Sequence, residues 1–471
     1  MKSSLKIFIL CCICLACFNL NGWAQVPEGA YEGHIVFSLG ELGIIVNFKK
    51  THDSLTATID IPMQGAKGKP LSNVKFNYPN IYFELPAGPG LAKFDGKIKQ
   101  DSIIGAFTQA AVVGTFNLVK LKPEDTITPP KHKPPFKEES VKFTNGENSF
   151  GGTLTIPDKP GKHPAVIMIT GSGAQNRDEE ILGFKPFKII AEHLGRCEIA
   201  VLRYDDRGVG ESKGKTVNES TTLDFATDVE QAIKYLKTRP DIDTIKIGLM
   251  GHSEGGIIAP IVASRNKDVA FIVLMAGSGV KGEDVMNEQK RLIMKKAGSS
   301  DEEIVKSLKL SGQVFTAIRK NKGMDAVKKE LKKQVLEMAA KDTAKKKQTP
   351  EEEAQLDQML DAQLKAYQSV WMKCFIDLDP RPYLEKTTCP ALVLFGELDV
   401  QVPPKQNEKP IADALKKAGN KDVRISVFPK ANHLFQEAKT GNIDEYAMLN
   451  KEFVPGFLVM VSEWIRKHCN Q

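Results

Sequence analysis

Ser253, Asp399 and His433 have the types and the chain order needed for nucleophilic attack on a carbonyl. A serine hydroxyl is a poor nucleophile at its own pKa. It needs a base within hydrogen-bond reach, and the base needs an orienting acid. Ser253 stands in Gly251-His252-Ser253-Glu254-Gly255, between an apolar β-type run (245–250) and a helix-type run (256–265). Strand, Gly-x-Ser-x-Gly, helix describes a sharp turn that holds a serine out at the carboxyl edge of a sheet. In that arrangement the acid and then the histidine follow the serine in the chain. Of the eight histidines, only His433 and His468 lie beyond the late strand patterns. His468 falls on a terminal helix pattern. His433 follows a strand ending at Phe428, so it is the expected base. The acid is expected after strand 392–395, in Gly396-Glu397-Leu398-Asp399, where Asp399 is favoured over Glu397. Each residue alone also has a structural reading, as a turn acid or a loop histidine.

An oxyanion formed by such attack needs two N–H donors. The residue after the nucleophile, Glu254, supplies one. Thr170-Gly171-Ser172-Gly173 follows strand 165–169, and Ser172 is the expected second donor, through its main chain. Asp205-Asp206-Arg207-Gly208 also follows a strand, but it lacks the glycine spacing and lysine of a phosphate loop. Arg207 reads as a charge tying loops together.

These residues need a sheet to position them. From about 141 the chain alternates strand patterns (153–156, 165–169, 198–204, 246–250, 271–275, 392–395, 423–428) with helix patterns such as 224–238. Several of the strands are continuous apolar runs, as in a parallel sheet buried on both faces. The alternation breaks over about 281–379, where Lys- and Glu-rich segments with helical periodicity suggest a cap inserted over the sheet. The Lys345–Lys347 and Glu351–Glu353 charge runs read as a solvated connection between helices. Residues 25–121 carry short runs of β-branched and aromatic residues between turn residues, which predicts a small antiparallel barrel or sandwich. Residues 122–140 hold Pro129-Pro130 and Pro134-Pro135 among charges and read as an extended linker.

At the amino end, Lys2 and Lys6 precede an apolar run of 12 residues (7–18) and then Gly22-Trp23-Ala24. This is the pattern of a secretory signal peptide over 1–24, cleaved after Ala24. The implied location is periplasmic or extracellular. A lipoprotein signal on Cys17 is the rival. No later apolar run is long enough to cross a membrane. The 471-residue chain has a net charge of +7; without the two lysines of 1–24 it carries +5. That mild excess gives no case for nucleic acid. Four of the eight cysteines lie in 1–24. The other four (Cys197, Cys374, Cys389 and Cys469) are widely spaced, consistent with buried thiols or one disulfide. No metal or cofactor motif is present.

Together, Tyr204-Asp205-Asp206-Arg207-Gly208-Val209-Gly210-Glu211-Ser212, Gly251-His252-Ser253-Glu254-Gly255-Gly256, Gly396-Glu397-Leu398-Asp399 and Asn432-His433 resemble the α/β-hydrolase superfamily over about 141–471. The resemblance is closest to secreted esterases and serine-aminopeptidase-like hydrolases. It implies a mostly parallel sheet with a helical cap, and hydrolysis of a carbonyl substrate through Ser253, Asp399 and His433. Gly171-Ser172-Gly173-Ala174-Gln175-Asn176-Arg177-Asp178 is similar to an early loop of one esterase branch that also carries an N-terminal β domain. Thr170-Gly171 stands where many relatives have His-Gly. The expected substrate is a carboxylic ester of a short acyl group, cleaved through an acyl-enzyme. A small peptide is the alternative, and non-catalytic glycan or envelope binding is the reading from another class. A serine nucleophile is not that of dehalogenases or epoxide hydrolases.

Overall fold

The computed structural model describes residues 26–469, apart from 38–39, 52–53, 62–65, 88–89, 110–111, 122–133 and 341–349. The expected signal segment, the first proline pair and the Lys345–Lys347 run lie outside the described residues. Two compact units divide the chain near residue 122.

The first unit is one antiparallel sheet of nine strands: β1 (Gly29–Phe37), β2 (Gly40–Thr51), β3 (Ser54–Ile61), β4 (Ala66–Pro70), β5 (Ser72–Asn77), β6 (Asn80–Ala87), β7 (Gly90–Lys99), β8 (Ser102–Gln109) and β9 (Val112–Lys120). Their order is β4-β3-β2-β1-β9-β8-β7-β6-β5. The sheet curls nearly into a barrel, and the N–H just after β4 donates to Ala57 O in β3. Phe48, Phe83, Phe94 and Phe116 fill its inner face, with Phe83 and Phe94 stacked at 4.7 Å. Sequence patterning misses β4 and β7. In β7 every second residue faces out, and three of those are Lys93, Asp95 and Lys97, so the inward Phe94 and Ile98 stand isolated among charges. In β4, Ala-Lys-Gly-Lys-Pro has edge-strand composition and no apolar signal.

The second unit has an eight-stranded sheet: β10 (Phe136–Asn145), β11 (Asn148–Pro157), β12 (His163–Ile169), β13 (Ala200–Tyr204), β14 (Ile242–His252), β15 (Val269–Met275), β16 (Ala391–Gly396) and β17 (Val423–Phe428). Its order is β10-β11-β13-β12-β14-β15-β16-β17. The β10–β11 and β11–β13 pairs are antiparallel and all later pairs are parallel. Every residue of β13 and β16 is buried; β16 is an unbroken apolar run, while β13 also buries Arg203, which pairs with Glu138 and Asp178. β10 corrects the linker boundary: 136–140 is not extended linker but the start of an edge strand. Phe136, Val141 and Phe143 turn inward while Lys137, Glu138 and Lys142 face out. Its charged face and the prolines before it disguised a strand as a connection.

Helices α1 (Pro186–Arg196), α2 (Thr222–Lys237) and α3 (Gly255–Ala263) connect the strands. All nine residues of α3 are buried. Between β15 and β16 come α4 (Gly282–Lys296), α5 (Asp301–Lys320), α6 (Met324–Ala340), α7 (Pro350–Tyr367) and α8 (Val370–Phe375). Their buried positions recur at helical spacing, as Leu356, Leu360 and Leu364 do in α7. Lys328–Asp361 and Lys332–Asp357 pair α6 with α7 across their outer edges. Ser300 caps α5 and its Glu303 returns the bond, while Ser369 caps α8. Short α9 (Arg381–Leu384), then α10 (Pro404–Lys417) and α11 (Phe457–Cys469) complete the unit. Mostly parallel strands, flanking helices and an inserted helical segment make an α/β-hydrolase fold. None of the described helices is long and apolar enough to cross a membrane.

Candidate active site

The turn after β14 is built by close backbone approach. A Cβ on Gly251 would lie 2.0 Å from Gly255 O, and one on Gly255 would lie 2.1 Å from Ile169 O of β12. No side chain fits at either position. Ser253 takes φ = 53°, in the left-handed region, and its N–H donates to Met275 O of β15 at 2.8 Å. A non-glycine residue held there is strained, and the surrounding strands must enforce it. Ser253 thus sits at the amino end of α3, whose aligned peptide dipoles favour negative charge.

The acid and the histidine meet. His433 Nδ1 is 2.8 Å from Asp399 Oδ2, and both side chains are buried. The other Asp399 oxygen accepts from the N–H groups of Gln401 (2.7 Å) and Val402 (2.8 Å). The loop after β16 therefore fixes the carboxylate from one side, leaving its other side for the imidazole. The rejected candidates do other things. Glu397 accepts from Lys430 N–H, and His468 of α11 pairs with Asp422. The main-chain O of His433 is 3.0 Å from His252 Nε2, which brings the base loop against the residue just before Ser253.

The loop after β12 lies on the nucleophile. A Cβ on Gly171 would come 3.2 Å from Ser253 Cβ. Gly171 N–H is already committed to Glu179 Oε1 at 2.7 Å. The N–H groups of Ser172 and Glu254 form no hydrogen bond with another described residue. Both were expected from the sequence as oxyanion donors, and both N–H groups are uncommitted among the described residues.

Around them the site is more acidic than the sequence suggested. Burial pushes the Glu254 carboxyl up, against hydrogen bonds from Thr222, Trp371 and Ser172 that lower it. Thr222 Oγ1 donates at 2.6 Å and Trp371 Nε1 at 2.8 Å. Trp371 belongs to α8, so the cap is tied directly to the residue after the nucleophile. Burial likewise pushes Asp206 well above the usual carboxylate range, opposed by the Thr170 hydroxyl and Gln175 N–H. Asp206 and Glu254 line a small pocket with Gly171, Gly173 and Ile258. Arg207 binds Asp228 of α2 through Nε (2.7 Å) and Nη2 (2.8 Å), and Ser220 through Nη1; it ties loops, as its sequence context suggested. A second arginine, missed in the sequence, does the same for the loop after β12. Arg177 grips Asp205 with Nε and Nη2 and also reaches Thr153 and Glu211.

Sequence reasoning also missed Glu179, His252 and Trp371. His252 occupies a position the Gly-x-Ser-x-Gly pattern leaves free, and its partner Glu179 is 73 residues away. Only the fold reveals such a pairing. The four described cysteines are free thiols, and burial pushes Cys389 and Cys469 up to about 11. Among the described residues no cluster of His, Cys, Asp and Glu could hold a metal ion.

Comparison with known proteins gives the family. The chain is 28% identical over 346 residues to Esterase EstD of Thermotoga maritima, covering 73% of this chain and 70% of that one. It is 30% identical over 129 residues to human acyl-coenzyme A thioesterase 1, an alignment covering only 27% of each chain. Among solved structures, an esterase of Pyrococcus furiosus aligns over 70% of this chain and 91% of its own at 15% identity, with a TM-score of 0.42. Residues 185–438, more than half of the chain, match the family described as serine aminopeptidase, S33. The chain is a hydrolase that belongs to the serine aminopeptidase, S33, family and carries the α/β-hydrolase fold.

Proposed function

We propose that this chain is a serine hydrolase that cleaves carboxylic esters of short acyl groups. The observation that carries the reading is the buried Asp399–His433 pair, held against a strained serine turn. His433 takes the Ser253 proton as the oxygen attacks the ester carbonyl. Asp399 holds the imidazole in the tautomer with its proton on Nδ1 and stabilises the imidazolium that forms. The N–H groups of Glu254 and Ser172 bind the oxyanion, helped by the amino end of α3. His433 then returns its proton to the leaving alcohol. In the second half, the same histidine activates water to hydrolyse the acyl-enzyme.

A small-peptide hydrolase uses the same groups, and the family's name favours that alternative. An aminopeptidase needs a carboxylate that stays charged to grip a substrate ammonium. Glu254 and Asp206 line the pocket, but burial raises both and neutral donors satisfy them. Both are weakened as ammonium partners, which supports ester over peptide. Export through the 1–24 segment belongs to the same proposal.

Purified protein assayed on nitrophenyl esters and aminoacyl anilides tests the reading. The expected kcat/KM order is acetyl and butyryl esters, then octanoyl, with anilides lowest. Anilide cleavage matching the acetyl ester would favour the peptidase. No turnover of either class would leave the non-catalytic binding protein.

A further inference from the structure

Behind the Asp399–His433 pair lies a second histidine–carboxylate pair. His252 is buried, with Nδ1 2.9 Å from Glu179 Oε1 and Nε2 3.0 Å from the main-chain O of His433. A backbone carbonyl only accepts, and so does an ionised carboxylate. A neutral imidazole carries a single N–H and can satisfy one of them. With Glu179 ionised, both bonds form together only when both ring nitrogens are protonated. Glu179 is also buried. Its Oε1 takes the Gly171 N–H as well, and its Oε2 has no partner among the described residues. Among the described residues, His252 is the one basic side chain bonded to that carboxylate.

We propose that His252 is a buried imidazolium whose ion pair with Glu179 holds two loops against the serine turn at once. Nε2–H fixes the carbonyl of His433 and so the base loop. Through Glu179, the pair fixes Gly171 N–H and so the loop that presents Ser172. His252 is a positioning residue: it need not touch substrate. This rests on reading Ser253 and His433 as nucleophile and base.

The surrounding charges agree. Burial alone pushes the His252 imidazole down. The Glu179 charge and hydrogen bond, the His433 carbonyl and the Asp399 charge outweigh it, and the net direction is up. The titratable groups facing the pair are Asp399 and His433 on the base side, with ring centroids of the two histidines 4.6 Å apart, and Asp206 beyond Glu179. A fixed positive charge beside His433 disfavours a second one there. Its removal should therefore move the acid limb of the pH–rate profile to higher pH.

The direct test is ¹⁵N NMR of the whole protein labelled on histidine, with His252→Asn used to assign the ring. The expected result is two protonated ring nitrogens persisting at about pH 7.5. A ring with one unprotonated nitrogen at that pH would overturn the proposal, whatever the activity. Kinetics give the second arm. In His252→Asn and Glu179→Gln, kcat should fall between about tenfold and a hundredfold with little change in KM, as for loops displaced by a fraction of an ångström. The acid limb should move up in His252→Asn, which removes the positive charge beside His433. Lower thermal stability with the acid limb and kcat unchanged would reduce the pair to a structural contact and refute a positioning role. Fluorophosphonate labelling of Ser253 in the unmodified protein reports the underlying reading separately.

Discussion

Replacing Asp399 by Asn changes one atom, and the structure says what that atom does. The Asp399 oxygen that faces away from His433 accepts two buried N–H groups, from Gln401 and Val402, at 2.7 and 2.8 Å. An asparagine must keep its carbonyl oxygen there. Its NH2 then faces His433 Nδ1, which has to accept, so the imidazole proton moves to Nε2. In that tautomer the ring cannot take a proton from Ser253, and the expected loss in kcat is about 10⁴, or about 5.4 kcal/mol. The flipped amide would restore the tautomer but leave two buried donors unsatisfied, at about 1–3 kcal/mol each. Escaping by that route costs about 2–6 kcal/mol, a reduction of at least about 30-fold. The loss of kcat on nitrophenyl acetate should therefore lie between about 30-fold and 10⁴-fold, with a melting curve confirming that the variant folds. A folded Asp399→Asn variant within about tenfold of the parent would refute this account of the loop.

Other perturbations separate main-chain from side-chain roles. Ser172→Ala keeps the N–H and loses only the hydroxyl. The rate should fall by less than about tenfold, against ~10²–10³ for a lost side-chain oxyanion donor, and steady-state kinetics decides. Arg177→Ala leaves buried Asp205 without its cation and should cost about 3–5 kcal/mol near pH 7. Burial raises the Asp205 carboxyl, but Arg177 and the backbone N–H groups outweigh that, so the net direction is down. Such a group stabilises the fold above its unfolded value of about 3.9 and loses that contribution as pH falls through its lower folded value. The gap in melting temperature between parent and variant should thus shrink below about pH 4.

The sequence made the sheet legible where strands are buried on both faces. β15, β16 and the second half of β14 are near-continuous apolar runs, and Ser253 and Asp399 follow two of them. It failed where burial is one-sided or where partners are distant. β7 and β10 hide their inward residues between charges, so alternation reads as a charged loop. The Glu179–His252 and Trp371–Glu254 bonds join residues 73 and 117 positions apart, and no local pattern announces either. Ser172 was singled out because a glycine-rich segment directly follows a strand, a pattern a plain turn also has. That Gly171 is unavailable as a donor emerged only once Glu179 was seen to occupy its N–H.

The central claim is that Ser253 is a nucleophile activated by His433. Reaction with a fluorophosphonate, followed by peptide mapping, tests it most directly. The account expects a single phosphonylated residue, Ser253, and labelling lost in both Ser253→Ala and His433→Ala. Labelling at another serine, or none in an active preparation of the parent protein, would contradict it.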